Sequence, residues 1–143
     1  MNPRAFLELA RRLLVNEPNP AGFRSAIGRA YYAAFNVAAE FLKGVDCEVH
    51  EDAKGHKQAY FRLNNSGDSL LSEVASYLDD LRSERNVADY RLGKPHVEQE
   101  GVVRYWLEMA SRIITELDTC NTTDQRKNSV KTAIKEYMKN NPS

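Results

Sequence analysis

Polar side chains that suit phosphate binding recur at helical spacing in the first third of the chain. Four of them are spaced i, i+4, i+7 and i+11 and therefore share one face of a predicted helix: Ser25, Arg29, Tyr32 and Asn36. A planar guanidinium binds phosphate through two parallel hydrogen bonds, and a hydroxyl or amide adds a neutral one. The same spacing is typical of an ordinary solvated helix edge, so the pattern alone leaves both interpretations open.

A second charged group lies in the second half of the chain. Asp89 follows Arg85 by four residues and Arg82 by seven, so the three side chains lie along one side of a helix. Arg85 also continues the apolar stripe that contains Leu81, so its guanidinium should point partly inward. A structural ion pair between Arg85 and Asp89 and a phosphate contact by either arginine both fit this pattern. We expect Arg29 to join the group, because three arginines around one carboxylate leave positive charge that a phosphate can neutralise.

Two stretches of the chain resemble the signatures of a known family. Residues 24–35 read Arg-Ser-Ala-Ile-Gly-Arg-Ala-Tyr-Tyr-Ala-Ala-Phe. They are similar to the second-helix signature of the HEPN family, helical domains found beside prokaryotic nucleotidyltransferases and in ribonuclease toxins. Residues 81–90 read Leu-Arg-Ser-Glu-Arg-Asn-Val-Ala-Asp-Tyr and are similar to the family's second signature, a helix end that contains Arg-Asn. The two stretches occur in the expected order, and the resemblance spans roughly residues 5 to 118.

The resemblance implies a binding and interaction module rather than a free-standing enzyme. By this resemblance the protein would be a homodimer and the partner of a minimal nucleotidyltransferase, in a toxin–antitoxin or defence setting. It would contact a nucleotide or an RNA phosphate through one group of side chains: Arg29, Tyr32, Asn36, Arg82, Arg85 and Asp89.

Catalytic members of the family resemble metal-independent ribonucleases that carry an arginine and, four to six residues further on, a histidine. The histidine would act on the 2′-hydroxyl or the leaving oxygen, and the arginine would hold the phosphate. In this chain Arg85-Asn86 is followed by residues 87–92, Val-Ala-Asp-Tyr-Arg-Leu, without a histidine. We therefore expect a non-catalytic protein that uses neither a metal nor a cofactor.

A ribonuclease that uses Arg85 or Arg91 together with His96 is the alternative reading. Arg91 and His96 do have the family's spacing. Gly93 and Pro95 lie between them, however, and a proline breaks the continuous helix face that this spacing requires. A dimeric helical scaffold whose polar stripe is purely structural is a further alternative.

The hydrophobic periodicity that must position these residues predicts an all-α fold. We expect an antiparallel up-and-down bundle of four long helices plus one or two short ones. The predicted helices run from an Asn2-Pro3 cap to about Val15, from Arg24 to Gly44, over 56–63 at most, from Asp68 or Ser69 to about Tyr90, from Val97 to Asp118, and onward from a cap within 121–124. Residues 1–120 would form the bundle, and 121–143 a C-terminal helix whose last residues, 139–143, fray.

Helical phasing also predicts the core and the assembly. The residues expected to be buried together are Ile27, Tyr31, Ala34, Leu78, Leu81, Trp106 and Ile113, and Leu70 begins the inward face of the segment that ends at about Tyr90. The apolar face of the segment from Val97 to Asp118 is wider than one bundle seam needs. This width is a second reason to expect a homodimer.

Composition excludes several other classes of protein. The chain has 143 residues and a formal net charge of zero, so it fits one domain and should not capture nucleic acid by bulk charge. It contains no apolar run that could span a bilayer and no apolar leader, so we expect a cytoplasmic protein. Cys47 and Cys120 lack the spacing of a zinc site and should be reduced thiols. His50 and His56 flank an acidic loop that we do not expect to bind metal.

Overall fold

Six α-helices and one short 3₁₀ helix make up the computed structural model, which describes residues 1–142. They are α1 (Ala5–Asn16), α2 (Pro20–Gly44), α3 (Lys54–Asn64), α4 (Ser69–Tyr90), the 3₁₀ helix (Pro95–Glu98), α5 (Glu100–Asn121) and α6 (Asp124–Asn140). No strand occurs within the described residues. The predicted all-α bundle is confirmed. Helix α5 begins at Glu100 rather than at the predicted Val97, because Pro95–Glu98 forms the 3₁₀ helix.

Helix α2 is the centre of the bundle. It contacts α1, α3, α4, α5 and the 3₁₀ helix. Its start follows from two residues: Pro20 stands at the first helical position, and the Asn19 side chain accepts a hydrogen bond from Gly22 N at 2.9 Å. Small buried residues such as Ala30 and Ala34 let neighbouring helices approach its axis from several sides.

The predicted core is confirmed except at two positions. Six of the seven predicted residues are buried, whereas Trp106 is only half-buried and packs edge to face against Tyr105 with ring centroids 5.0 Å apart. Leu70 is 42% exposed, and its neighbour Leu71 is buried instead. Both errors are a phase shift of one residue, about 100° around the helix, which exchanges the centre and the edge of an apolar stripe.

The start of α1 also differs from the prediction. Asn2 does not cap the helix, which begins three residues later at Ala5. The Asn2 side chain instead accepts a hydrogen bond from Arg4 N at 3.0 Å and closes the turn before the helix. Arg4 then donates from Nε to Asp118 Oδ2 at 3.1 Å, which fastens the start of α1 to α5.

Helix α6 is held against the bundle by both packing and charge. Val130 and Ile134 are buried, and Arg126 donates from Nε to Asp68 Oδ2 at 2.6 Å. Asp68 also caps α4, so this one carboxylate connects two helices. Of the tail predicted to fray, 139–140 belong to α6, and Ser143 lies outside the described residues. None of the helices in residues 1–142 is long and apolar enough to cross a membrane.

Candidate phosphate-binding site

A tyrosine and a histidine meet where α2 and α3 approach α4. Tyr31 on α2 is only 3% exposed, and its hydroxyl is hydrogen-bonded to His56 Nδ1 on α3. The two rings have centroids 5.3 Å apart, and the Phe35 ring lies 4.3 Å from the His56 ring. The imidazole is therefore held by aromatic packing on one side and by a hydrogen bond on the other.

Arg85 brings a positive charge onto this aromatic group from α4. Its guanidinium carbon lies 5.5 Å from the Tyr31 ring centroid and 6.0 Å from that of Tyr90, within the range of cation–π attraction. Its Nε lies 3.2 Å from Asp89 Oδ2, and its Nη1 donates to Asn86 Oδ1 at 3.1 Å. The ion pair predicted from the i, i+4 spacing is therefore present, and Arg85 keeps further donors beyond it.

Arg82, one helical turn before Arg85, carries the most informative atom of the site. Its Nε is buried and has no hydrogen-bond partner within residues 1–142. Buried polar atoms in folded proteins are nearly always bonded, because leaving one unbonded costs about 1–3 kcal/mol. The site therefore contains a donor for which the described chain supplies no acceptor.

The environment fixes the protonation of the two residues that face these arginines. Burial, followed by the charges of Arg82 and Arg85, lowers the pKa of His56 from 6.5 to about 4. Burial raises the pKa of Tyr31, although the same two arginines oppose the shift. At neutral pH the imidazole is thus uncharged and the phenol protonated. With the phenol as donor to Nδ1, the ring carries its own proton on Nε2.

The carboxylate of Asp89 sits at the contact between α4 and α2. A Cβ atom added to Gly28 would lie 3.3 Å from Asp89 Oδ1, so the absence of a side chain there makes room for the carboxylate. Asp79 adds a weaker negative influence on Tyr31. We define the Arg82–Arg85 cluster as Tyr31, His56, Arg82, Arg85 and Asp89. It contains two guanidiniums and one directly paired carboxylate, which leaves an excess of positive charge.

Arg29, predicted to join this cluster, lies in a separate group. Its guanidinium carbon is 5.7 Å from the Phe6 ring centroid and 5.2 Å from that of Tyr32, so it packs beside α1. Within residues 1–142 no hydrogen bond, ion pair or ring contact joins Arg29 to Tyr31, His56 or Asp89. The reason is angular, since Arg29 and Tyr31 differ by about 200° around α2 and point to opposite sides.

The rest of the predicted polar stripe is engaged locally. The Tyr32 ring packs edge to face against Phe6 with centroids 4.7 Å apart. Asn36 donates from Nδ2 to the Tyr32 carbonyl at 2.7 Å, a bond within its own helix. The structure therefore brings together Arg82, Arg85 and Asp89 from the predicted set, and it leaves the α2 stripe beside α1.

The structure pairs the histidine of the alternative ribonuclease interpretation with a carboxylate. His96 lies in the 3₁₀ helix, and its Nε2 is 2.6 Å from Glu84 Oε1. Arg91 is the residue that follows α4 and is exposed. His96 is thus paired with a carboxylate, whereas the histidine that lies beside the arginines is His56.

Sequence reasoning missed His56 and the polar role of Tyr31. No spacing rule connects His56 with Arg82, because they belong to different helices that only the fold brings together. The sequence signal that could have revealed this pair is Tyr31, because a buried phenol usually has a hydrogen-bond partner and this one lies on an otherwise apolar helix face. Within the described residues, no group of three or more His, Cys, Asp and Glu side chains is arranged to hold a metal ion.

Arg24 is another residue whose role the sequence did not reveal. Only 7% of it is exposed, and its Nε donates to Glu98 Oε2 at 2.7 Å. Its two terminal nitrogens donate to five backbone carbonyls: Val87, Ala88, Arg91, Leu92 and Lys94. Arg24 therefore fixes the C-terminal end of α4 and the turn after it, and it positions the helix that carries Arg82 and Arg85.

Comparison with known proteins finds a relative whose name assigns no function. An uncharacterized protein of Methanocaldococcus jannaschii is 34% identical over a region that covers 59% of this chain and 58% of that protein. The chain thus spans little more than half the length of that relative. No family model and no solved structure matches the chain.

Proposed function

We propose that the protein is a HEPN-like binding and interaction module that holds a phosphate of a nucleotide or RNA at its Arg82–Arg85 cluster. In this proposal it acts in the cytoplasm beside a nucleotidyltransferase, in a toxin–antitoxin or defence pair. The observation that carries the phosphate assignment is the buried Nε of Arg82, which lacks an acceptor within residues 1–142. The placement beside a nucleotidyltransferase rests on the resemblance of residues 24–35 and 81–90 to the family signatures.

The chemistry of the cluster favours a phosphate over other ligands. A phosphate offers several acceptor oxygens and negative charge, which match the free donors of two neighbouring guanidiniums. The neutral His56 presents an N–H donor without adding a charge that would repel the arginines. The Tyr90 ring, which is 72% exposed, flanks Arg85 and offers a flat surface on which a base can stack.

A binding titration tests the assignment. Short single-stranded RNA, followed by fluorescence anisotropy, and a nucleoside monophosphate, followed by calorimetry, should both bind the wild-type protein at low salt. Arg85→Ala and Arg82→Ala should each weaken binding about tenfold or more and reduce the salt dependence by about one counterion. Arg104→Ala, which removes an exposed arginine of α5, is the matched control and should bind like wild type.

One combination of results would reject the phosphate assignment. If wild type binds neither ligand at low salt and Arg85→Ala mainly lowers the melting temperature, the cluster is a structural ion pair. The interpretation as a structural dimeric scaffold would then replace the proposed phosphate-binding function.

The geometry of His56 favours a second candidate function, metal-independent RNA cleavage. A neutral imidazole that is oriented by Tyr31 presents its Nε2–H close to two arginines, and these donors together suit the negative charge that develops on a phosphate during cleavage. Incubation with RNA in the presence of a chelator decides between the two. Cleavage that is lost in His56→Gln and retained in His96→Ala would establish this candidate, whereas intact RNA favours the binding module.

An aromatic patch on α5 supports the proposed homodimer. Tyr105 is 55% exposed and packs against the half-buried Trp106, which leaves an aromatic patch at the surface. Light scattering across micromolar concentrations should give a dimer mass for wild type and a lower mass for Tyr105→Glu. A monomer mass for the wild-type protein at every concentration would reject the proposal.

The nucleotidyltransferase partner is testable from the genome and by co-expression. A small nucleotidyltransferase encoded next to this chain should co-purify with it in a defined stoichiometry. Co-purification that survives Arg85→Ala would show that the partner docks outside the Arg82–Arg85 cluster. Failure of the two purified proteins to associate would remove this part of the proposal and leave the phosphate site untouched.

A further inference from the structure

A pocket of about 380 Å³ lies between α3 and α6, away from the Arg82–Arg85 cluster. Its lining includes cationic, aromatic and thioether side chains, those of Lys54, Lys57, Phe61, Arg62, Tyr137 and Met138. This volume is within the range of sites that bind small molecules. Because α3 presents His56 to α2 and these residues to α6, the pocket and the cluster use different faces of the same helix.

The lining of this α3–α6 pocket is unbalanced in charge. Lys54, Lys57 and Arg62 are cationic, and none of the described lining residues is an aspartate or glutamate. The ammonium of Lys57 lies 6.0 Å from the Phe61 ring centroid, so it stays over the apolar part of the pocket. The positive charge is thus concentrated beside aromatic and thioether side chains, which have little affinity for a small hydrated ion.

Arg62 makes the pocket a built site. It is only 6% exposed, and its Nη1 donates to the carbonyls of Cys47, at 2.9 Å, and of Glu48. The described chain gives its Nε and Nη2 no partner. Burial also lowers the pKa of this guanidinium. Neither nitrogen is fully buried without a partner, which within residues 1–142 is true only of Arg82 Nε, so both can donate to an anion that enters the pocket.

We propose that the α3–α6 pocket binds a small amphipathic anion, a carboxylate carried on an aromatic or alkyl body. The carboxylate would accept hydrogen bonds from Arg62 and attract Lys54 and Lys57, while the body packs against Phe61, Tyr137 and Met138. Both halves of the ligand are needed. Inorganic phosphate would leave the apolar surface uncovered, and a neutral hydrocarbon would leave the cations uncompensated. This inference is independent of the phosphate site proposed above.

A set of three probes tests the proposal on the full chain. We would titrate ¹⁵N-labelled protein with 2-naphthoate, with 2-naphthamide and with acetate. 2-Naphthoate should shift the amide resonances of α3 and α6 with a submillimolar Kd. The uncharged amide and the small anion should each bind at least about tenfold more weakly, because each lacks one of the two halves. Equal binding of naphthoate and naphthamide, or no binding of naphthoate, would overturn the proposal.

Variants at exposed positions keep the test separate from folding. Lys54→Gln with Lys57→Gln should weaken naphthoate binding about tenfold without a change in melting temperature, since both side chains are exposed. Lys139→Gln, an exposed lysine of α6 outside the pocket lining, is the matched control and should bind like wild type. Shifts that map to Tyr31 and Arg85 instead would place the ligand in the Arg82–Arg85 cluster and reject the α3–α6 pocket.

Discussion

Arg24 on α2 and Arg82 on α4 show opposite outcomes for the buried nitrogens of a guanidinium. Arg24 reaches the end of α4 from α2 and engages all three of its nitrogens with five carbonyls and one carboxylate. Arg82 projects from the middle of the same helix, and its buried Nε has no acceptor within residues 1–142. The two residues have the same side chain, but the described chain supplies hydrogen-bond acceptors to all three nitrogens of Arg24 and none to Arg82 Nε.

The difference follows from where each arginine meets the helix. The last carbonyls of an α-helix have no partner inside it and lie at the negative end of its dipole, so the end of α4 supplies acceptors to Arg24. In the middle of a helix every carbonyl already accepts a bond from four residues further on. Arg82 Nε therefore finds no backbone acceptor, and the terminal nitrogens of Arg82, which have no partner within residues 1–142 either, can donate to a ligand. This contrast separates an arginine that holds the fold from one that can bind.

The largest effect should come from removing Arg24. Arg24→Met leaves Glu98 and the carbonyls at the end of α4 without their donor. We expect the free energy of unfolding to fall by about 3–5 kcal/mol, the usual cost of breaking a buried charge pair. Urea unfolding measures the loss, and Arg104→Met, at an exposed position of α5, should stay within about 0.5 kcal/mol of wild type. A loss below about 1 kcal/mol for Arg24→Met would remove the contrast between the two arginines.

Arg82→Met should have the opposite pattern. The substitution removes a buried donor that has no partner, so the free energy of unfolding should stay the same or rise by about 1 kcal/mol. Affinity for RNA or a nucleotide should nevertheless fall about tenfold or more. Urea unfolding and anisotropy on the same preparation measure both quantities. A large loss of stability with unchanged binding would show that Arg82, like Arg24, is a structural residue.

The sequence predicted the fold better than the details of the core. Long amphipathic segments with clear stops, such as the one that ends at Gly44, specify helices because periodicity and capping agree. The errors at Leu70 and Trp106 arose because an apolar stripe covers a range of angles around its helix, and only tertiary packing decides which part of that range faces the core. Asn2 was misassigned because a side chain that caps a helix and one that closes a turn use the same hydrogen bond.

The candidate site was only half accessible to sequence reasoning. The Arg85–Asp89 pair is local, and its i, i+4 spacing was enough to predict it. His56 and Tyr31 come from two other helices, so their meeting depends on how α2 and α3 pack. Arg29 was assigned to the cluster from its polar stripe, but rotation about α2 places it beside α1. Contacts between helices were therefore the part that local patterns could not supply.

The pH dependence of stability should report on the Arg82–Arg85 cluster through His56. The folded protein keeps this imidazole neutral down to a pKa of about 4, whereas the unfolded chain takes up a proton near pH 6.5. The resulting stability is complete above pH 6.5 and is lost as the pH falls from 6.5 towards 4, by about 1–3 kcal/mol. Urea unfolding across this range measures the slope.

Two variants isolate this contribution from the titration of carboxylates. His56→Gln should flatten the slope between pH 4 and 6.5, whereas His50→Gln, at an exposed position, should leave it as in wild type. A phosphate bound between the arginines would offset their charges and move the titration of His56 to higher pH. An unchanged slope in His56→Gln would contradict the assignment of His56 to a buried, positively charged environment.

The smallest effect is expected from a substitution at Gly28. It tests most finely the contrast between an arginine that holds the fold and one that can bind a ligand. A Cβ atom there would lie 3.3 Å from Asp89 Oδ1, at the end of a flexible side chain that can move by a few tenths of an ångström. Because alanine favours a helix interior over glycine, Gly28→Ala should raise the free energy of unfolding by about 0.5–1 kcal/mol. The displaced carboxylate should pair less well with Arg85, which frees that guanidinium and strengthens phosphate binding by about threefold. Gly101→Ala, at a helical glycine with open space around it, is the matched control and should leave binding unchanged. Weaker binding in Gly28→Ala would mean that Asp89 orients Arg85 for the ligand instead of competing with it. A loss of more than about 2 kcal/mol in the free energy of unfolding would show that Asp89, like Arg24, is a structural residue.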